Sequence, residues 1–358
     1  MNPGRLFVAC HPALGHITPY EVMVRALVRA GHTVRWYGPQ EWHERFRAAG
    51  ADPVTQSPDV TPSNVSRLFE VWNYDFRRVA SDQAAECMTL LADDDLAIVD
   101  ATVMGVRRAA QRMTVPTLLV NCTPAFNDGI DFTRAAQATV DGFEFLEWGI
   151  PCIGPLLPPL VEPEVLPHWA TKEDTRPLIF VTQGTLALAD ALISPTIEAL
   201  RQHEKARGLV CVPNKMALRP LPPNVTVVPV VDYRLALRYA HIFITNGGYH
   251  GLNMALAAGV PVIVAGEAED KIRTGELVEW AGVGINLRTA TPSVAQILHA
   301  AATIERTPRY RERARELSLR IALAMPAPLK IAALVDDILC KRDQRNCHGP
   351  ATVHAAIG

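Results

Sequence analysis

The sequence predicts an α/β protein built from two doubly wound, Rossmann-like domains that face each other across a cleft. Three observations predict it. Short apolar runs alternate with longer amphipathic stretches over residues 6–120, and the alternation restarts after residue 177. Between the two series lie Pro151, Pro155, Pro158, Pro159, Pro163, Pro167 and Pro177; proline removes a backbone donor and fixes φ, so this stretch reads as an extended linker. The length, 358 residues, is too great for one ordinary domain and suits two.

The elements follow in order. The first half reads as strand Leu6–Cys10, helix Pro19–Ala30, strand Thr33–Tyr37, helix Gln40–Ala49 and a helical stretch Asp75–Leu91. Strand Leu96–Val99, helix Val103–Arg112 and strand Thr117–Val120 complete it. This βαβ alternation implies a parallel sheet covered on both faces. The second half reads as strands Leu178–Val181, Leu209–Val212, Val225–Val228, Ile242–Thr245, Val262–Ala265 and Gly284–Leu287, with helical patterns between them. Helical stretches Ser293–Ile304, Arg309–Ala324 and Leu329–Leu339 finish the chain. The expected domains are 1–155 and 178–340, with 156–177 as linker and 341–358, which lack periodicity, as a disordered tail.

Composition narrows the function. Apolar residues make up 49% and charged residues 20%, enough for two packed cores. The net charge of −2, with both signs mixed throughout, argues against a nucleic-acid partner. No apolar stretch approaches a membrane span, and Leu6–Cys10 is too short for a signal-peptide core. The seven cysteines are Cys10, Cys87, Cys122, Cys152, Cys211, Cys340 and Cys347; none forms a CxxC pair, so reduced thiols in a cytoplasmic protein are expected. On the same grounds the sequons at Asn64, Asn121 and Asn224 are expected to be silent, and Cys340, Cys347 and His348 lack zinc-module spacing.

Two constellations carry chemistry. After the first strand, Thr18-Pro19 with Glu21 reads as a capping box opening a helix, which leaves His16 in the preceding loop. Asp100 follows strand Leu96–Val99, and first and fourth strands adjoin at the switch point of a doubly wound sheet. A carboxylate beside an imidazole fixes its tautomer and supports general-base chemistry. The alternative, His16 closing the loop and Asp100 capping the next helix, weighs equally on these residues alone. His11 is a rival base, but the proline after it favours a structural role.

The second constellation is Asn246-Gly247-Gly248-Tyr249-His250-Gly251, between strand Ile242–Thr245 and a helix. Strand, glycines, helix is the layout that presents backbone N–H groups to a phosphate, although such turns also serve packing alone. Gln183-Gly184-Thr185 is a second glycine turn that suits the same ligand. Glu267, Glu269, Asp270 and Lys271 end the next strand and suit sugar hydroxyls, or else begin the helix toward Trp280. Asp93-Asp94-Asp95 precedes its strand and reads as a solvated turn rather than a cation site.

These residues together resemble the GT-B-fold glycosyltransferases of the UDP-glycosyltransferase superfamily, close to those that glycosylate natural products, over nearly the whole chain up to Leu339. Gly15-His16-Ile17-Thr18-Pro19 resembles the Gly-His-x-x-Pro turn whose histidine is the catalytic base, and Asp100 matches its paired aspartate. Thr182-Gln183-Gly184-Thr185 and the run from Asn246 to Lys271, with Gly259-Val260-Pro261 inside it, resemble the donor-binding turns. Val230-Val231-Asp232-Tyr233 sits where the family's backbone holds the pyrimidine. The resemblance implies donor contacts from Gly15, Gly184, Thr185, Val231, Asn246, Gly247, Gly248, His250, Gly251, Asp270 and Lys271. It implies an inverting hexosyltransferase-type reaction from UDP- or dTDP-sugar to a hydroxyl of a small apolar acceptor, with no metal and no further cofactor. The chain departs from the pattern at Asn246, where the family usually has histidine, at Leu252 and at Met254, where it often has polar and acidic residues. It is also shorter between Asn121 and Pro155. These departures motivate two competing readings, a non-catalytic homologue that binds nucleotide or a partner, and, more distantly, a nucleotide-sugar epimerase.

Overall fold

A computed structural model describes residues 3–60, 72–91, 94–100, 103–120, 155–158, 163–170, 174–184, 191–212, 220–267, 271–324, 326–346 and 354–357. In chain order the elements begin with β1 (Arg5–Ala9), α1 (Leu14–Arg29), β2 (Thr33–Gly38), α2 (His43–Ala48), β3 (Asp52–Thr55) and α3 (Trp72–Leu90). Next come β4 (Leu96–Asp100), α4 (Met104–Arg112), β5 (Thr117–Val120), β6 (Leu178–Thr182), α5 (Ile193–Gln202), β7 (Arg207–Cys211) and β8 (Val225–Val228). They are followed by α6 (Tyr233–Tyr239), β9 (Ala240–Thr245), α7 (Tyr249–Ala257), β10 (Val262–Val264), α8 (Lys271–Ala281) and β11 (Gly284–Asn286). The remaining elements are α9 (Val294–Arg306), α10 (Pro308–Leu323), α11 (Ala327–Asn346) and β12 (His354–Ile357). The chain divides into two compact units, Met1–Leu156 with Met325–Gly358, and Leu157–Ala324.

In the first unit six parallel strands run in the order β12-β5-β4-β1-β2-β3. The period-two pattern of β1 sends Leu6 and Val8 to one face and Phe7 and Ala9 to the other, and all four are buried. Below the sheet lie Ile17, Tyr20, Met23, Val24 and Leu27 of α1 with Ile331, Val335 and Ile338 of α11. Above it lie Cys87 of α3, Leu91, and Val106, Ala109 and Ala110 of α4. The second unit repeats the plan with the order β11-β10-β9-β6-β7-β8. Phe180, Phe243 and Val262 face α6 and α7, while Ile179, Ile242 and Ile263 face α5 and α9. In each sheet three strands step outward and the next returns beside the first, so β1–β4 and β6–β9 are matching switch points.

Four expectations need correction. Helix α1 starts at Leu14, not Pro19, and its cap is Ala13. Its apolar stripe begins at Ile17, so burial of Ile17 carries the helix across the proline. Thr18 does not cap; its hydroxyl donates to the Leu14 carbonyl (2.9 Å), and Glu21 pairs with Arg45 (2.6 Å). Part of the proline-rich stretch belongs to the second unit rather than to a solvated linker. Trp169 is buried edge-on to Tyr239, and the Arg207 guanidinium donates to the Trp169 carbonyl (2.8 Å). The last helix joins the first unit, although the sequence reading placed residues up to 340 in the second. The segment beyond Lys341 is not structureless throughout, since α11 runs to Asn346 and His354–Ile357 pairs with β5.

Asp94 and Asp95 are likewise not a solvated turn. Asp94 is buried against Arg35 (2.7 Å), and burial pushes its carboxyl above the usual range. Asp95 accepts from the Arg5 amide (2.7 Å) and pairs with Arg342. Both sit at the amino end of the sheet, and Asp95 ties the last helix to it through Arg342. Asp93 lies outside the described residues.

Candidate functional site

At the first switch point the carboxyl end of β4 meets the first turn of α1. Asp100, the last residue of β4, is fully buried, and its Oδ2 lies 2.6 Å from His16 Nδ1. His16 is the third residue of α1 rather than a loop residue, so its backbone is fixed by the helix, with its amide on the Ala13 carbonyl (2.9 Å). Helix α4 takes Val103 as its cap, and the Asp100 carboxylate is directed at the imidazole instead. With Nδ1–H donated to a buried carboxylate, the lone pair belongs to Nε2. The side chain of His16 is 20% exposed. Gly15 beside it is exposed, and a Cβ there would touch nothing within 4 Å. His11 stacks obliquely near His16, ring centroids 5.2 Å apart. Cys10 is buried beside Asp100; burial first, then the Asp100 charge, pushes its thiol pKa up, so the pair gains no second anion.

At the second switch point three turns converge. Gly184, after β6, has φ +73°, and a Cβ on it would lie 3.2 Å from Asn246 Nδ2 and 3.3 Å from Oδ1. The turn after β9 needs its own glycine at Gly247, φ +94°. Gly266, after β10, faces the Asn246 carbonyl so closely that a Cβ would sit 2.0 Å from the oxygen. Lys271 opens α8 directly against Gly247 and Gly266. Helix α7 begins at Tyr249 with Gly248 as its cap, which brings no side-chain oxygen to the first amides. Unsatisfied N–H groups and the helix dipole at such an end favour an anion. His250 and Gly251 occupy the first turn of that helix, both partly exposed. Val231 lies beside Cys211 at the same sheet edge, and its backbone N–H partly offsets the effect of burial, which pushes the Cys211 thiol up.

The structure thus brings together His16 and Asp100 in one unit, and Gly184, Asn246, Gly247, Gly248, Gly266 and Lys271 in the other. Thr185, Glu269 and Asp270 lie outside the described residues. Glu267 accepts from the Ala290 amide (3.1 Å). Leu252 and Met254 are 2% and 8% exposed and belong to the core beneath α7, so here these positions serve packing. Sequence reasoning placed Tyr233 in the Val230-Val231-Asp232-Tyr233 run but missed its side-chain contact: the hydroxyl lies 2.7 Å from Thr182 Oγ1 under the Gly184 turn. The available signal was Asp232, which caps α6 by accepting from the Arg234 amide (2.8 Å) and so fixes Tyr233 at the first position of that helix.

Residues 210–338 match the family described as erythromycin biosynthesis protein CIII-like, C-terminal domain. The chain is 25% identical over 399 aligned residues to 4'-demethylrebeccamycin synthase of Lentzea aerocolonigenes, covering 87% of this chain and 94% of that one. It is 36% identical over 172 residues to UDP-glucosyltransferase 1 of Beauveria bassiana (strain ARSEF 2860), covering 46% and 37% respectively. The chain is similar to glycosyltransferases of the UDP-glycosyltransferase superfamily. Its fold is GT-B: the crystal structure of the calicheamicin glycosyltransferase CalG4 superimposes with a TM-score of 0.76 at 21% identity, over 95% of this chain and 99% of CalG4. These relatives support a glycosyltransferase that works with nucleotide-sugar donors. Among the described residues no single helix is long and apolar enough to cross a membrane.

Proposed function

We propose that the chain is an inverting glycosyltransferase in which His16 is the general base and the acceptor is a small apolar molecule bearing a hydroxyl. The observation that carries this reading is the 2.6 Å contact between His16 Nδ1 and the buried Asp100 carboxylate. In this scheme Nε2 of His16 takes the proton of the acceptor hydroxyl. The oxygen attacks the anomeric carbon of the sugar from the face opposite the leaving group, and the bond to the nucleoside diphosphate breaks. The proton rests on the imidazole, whose new positive charge the Asp100 carboxylate offsets. The departing diphosphate takes the electron pair and is met by the amides at the start of α7 and the turn at Gly184. Asn246 adds a neutral amide donor where a histidine would bring a variable charge. The scheme calls for no metal ion. The donor is a UDP- or dTDP-linked sugar, a reading supported by the UDP-glucosyltransferase from Beauveria bassiana among the relatives.

The test is His16→Ala. Transfer, read as nucleoside diphosphate released in the presence of an apolar phenol or alcohol acceptor, is expected to fall by about 10²–10⁴-fold, the usual worth of a positioned base. Stabilisation of the protein by UDP or dTDP is expected to persist. Equal turnover in the variant rejects His16 as base.

A further inference from the structure

We propose that Tyr233 is a positioning residue of the donor site, holding the Gly184 turn and the first turn of α7 in one fixed arrangement. The inference rests on the donor reading above and adds a residue to it. Tyr233 stands at the meeting point of three elements. Its hydroxyl is 2.7 Å from Thr182 Oγ1 at the end of β6, and that same oxygen accepts from the Gly184 amide at 3.3 Å. Gly184 in turn lies against the Asn246 side chain. On its other side the Tyr233 ring lies under Gly251, where a Cβ would be 3.7 Å from the ring edge. The ring is clamped edge-on by Phe180 (centroids 5.1 Å, 89°) and by Phe243 (6.3 Å, 70°), both buried on neighbouring strands.

A tyrosine used only as filler would be as well served by phenylalanine. Here the hydroxyl is committed to a threonine that itself orders a backbone in the left-handed region, which any loss of constraint would release. Burial pushes the phenol up to about 12, so it stays a neutral hydrogen-bonding group throughout the physiological range. A ligand that needs the Gly184 amide and the α7 amides together gains from having the two turns preset, because ordering them on binding would weaken affinity.

The experiment measures UDP and dTDP dissociation constants, and unliganded melting temperature, for the unaltered chain, Tyr233→Phe, Thr182→Val, Thr182→Ser and the Tyr233→Phe/Thr182→Val pair. Tyr233→Phe and Thr182→Val are each expected to weaken the bound nucleotide about fivefold (~1 kcal/mol), with the melting temperature nearly unchanged. The double variant is expected to be no weaker than Thr182→Val alone, since that substitution already removes the bond to Tyr233. Thr182→Ser, which keeps the hydroxyl, is expected to restore binding. Singles that multiply in the double variant, or a Tyr233→Phe protein that binds as tightly as the unaltered chain, overturn the inference and leave the donor reading standing. An unaltered chain that binds neither nucleotide overturns the donor reading and this inference with it.

Discussion

Replacing Asp100 tests the base from its hidden side. The carboxylate is fully buried and 2.6 Å from His16 Nδ1, so the bond is charge-assisted and gains strength as the imidazole takes up a proton. Hydrogen bonds to a charged group contribute about 1.5–3 kcal/mol, and about 1.4 kcal/mol is a factor of ten in rate. Asp100→Ala removes the whole term, and kcat is expected to drop by about 10–150-fold. Asp100→Asn keeps a neutral acceptor worth about 1 kcal/mol, so its loss is smaller, about 2–30-fold. The assay is nucleoside diphosphate release at saturating donor and acceptor, with the nucleotide dissociation constant measured in parallel. Because Asp100 belongs to the first unit and the donor turns to the second, nucleotide affinity is expected to hold within twofold. Both variants retaining kcat within twofold, or nucleotide affinity falling in step with kcat, refutes the reasoning.

Two further outcomes are expected. Gly184→Ala places a Cβ at φ +73° and 3.2 Å from the Asn246 amide, so it should cost about 1–2 kcal/mol of stability and weaken UDP or dTDP binding; a differential scanning melt and a titration read both. Trp169→Ala should lower the unfolding free energy by about 3–5 kcal/mol in a urea titration, because the indole is 7% exposed within the core of the second unit. A change below 1 kcal/mol would return that segment to the status of linker.

The strands and switch points were legible because they depend on local apolar runs and on chain order. Leu6–Cys10, Leu96–Val99 and Ile242–Thr245 are found within a residue or two of where their apolar runs place them. The nearness of His16 and Asp100 followed from strand order alone. What stayed hidden depends on partners distant in sequence. Thr18-Pro19 with Glu21 has the form of a helix start, yet Ile17 is needed in the core, and packing overrode the local signal. Seven prolines disguise Trp169, whose burial depends on Tyr239 seventy residues further on. The contact between Gly184 and Asn246 joins two glycine turns that carry no long-range signal of their own. Met254 stands where the family often has an acidic residue, but a methionine on the buried side of α7 has a plain role in the core.

The return of α11 to the first unit bears on how the protein is made. Ile331, Val335, Ile338 and Leu339 fill the underside of a sheet whose other helices, among the described residues, come from the first 120 residues, and Leu339 presses on Gly4, where a Cβ would lie 2.6 Å from its Cδ1. During synthesis the early strands therefore wait, with part of their apolar underside uncovered, while the whole second unit leaves the ribosome and folds as an uninterrupted insert. Severing such a chain near residue 156 separates not two independent domains but one complete body and one unfinished one.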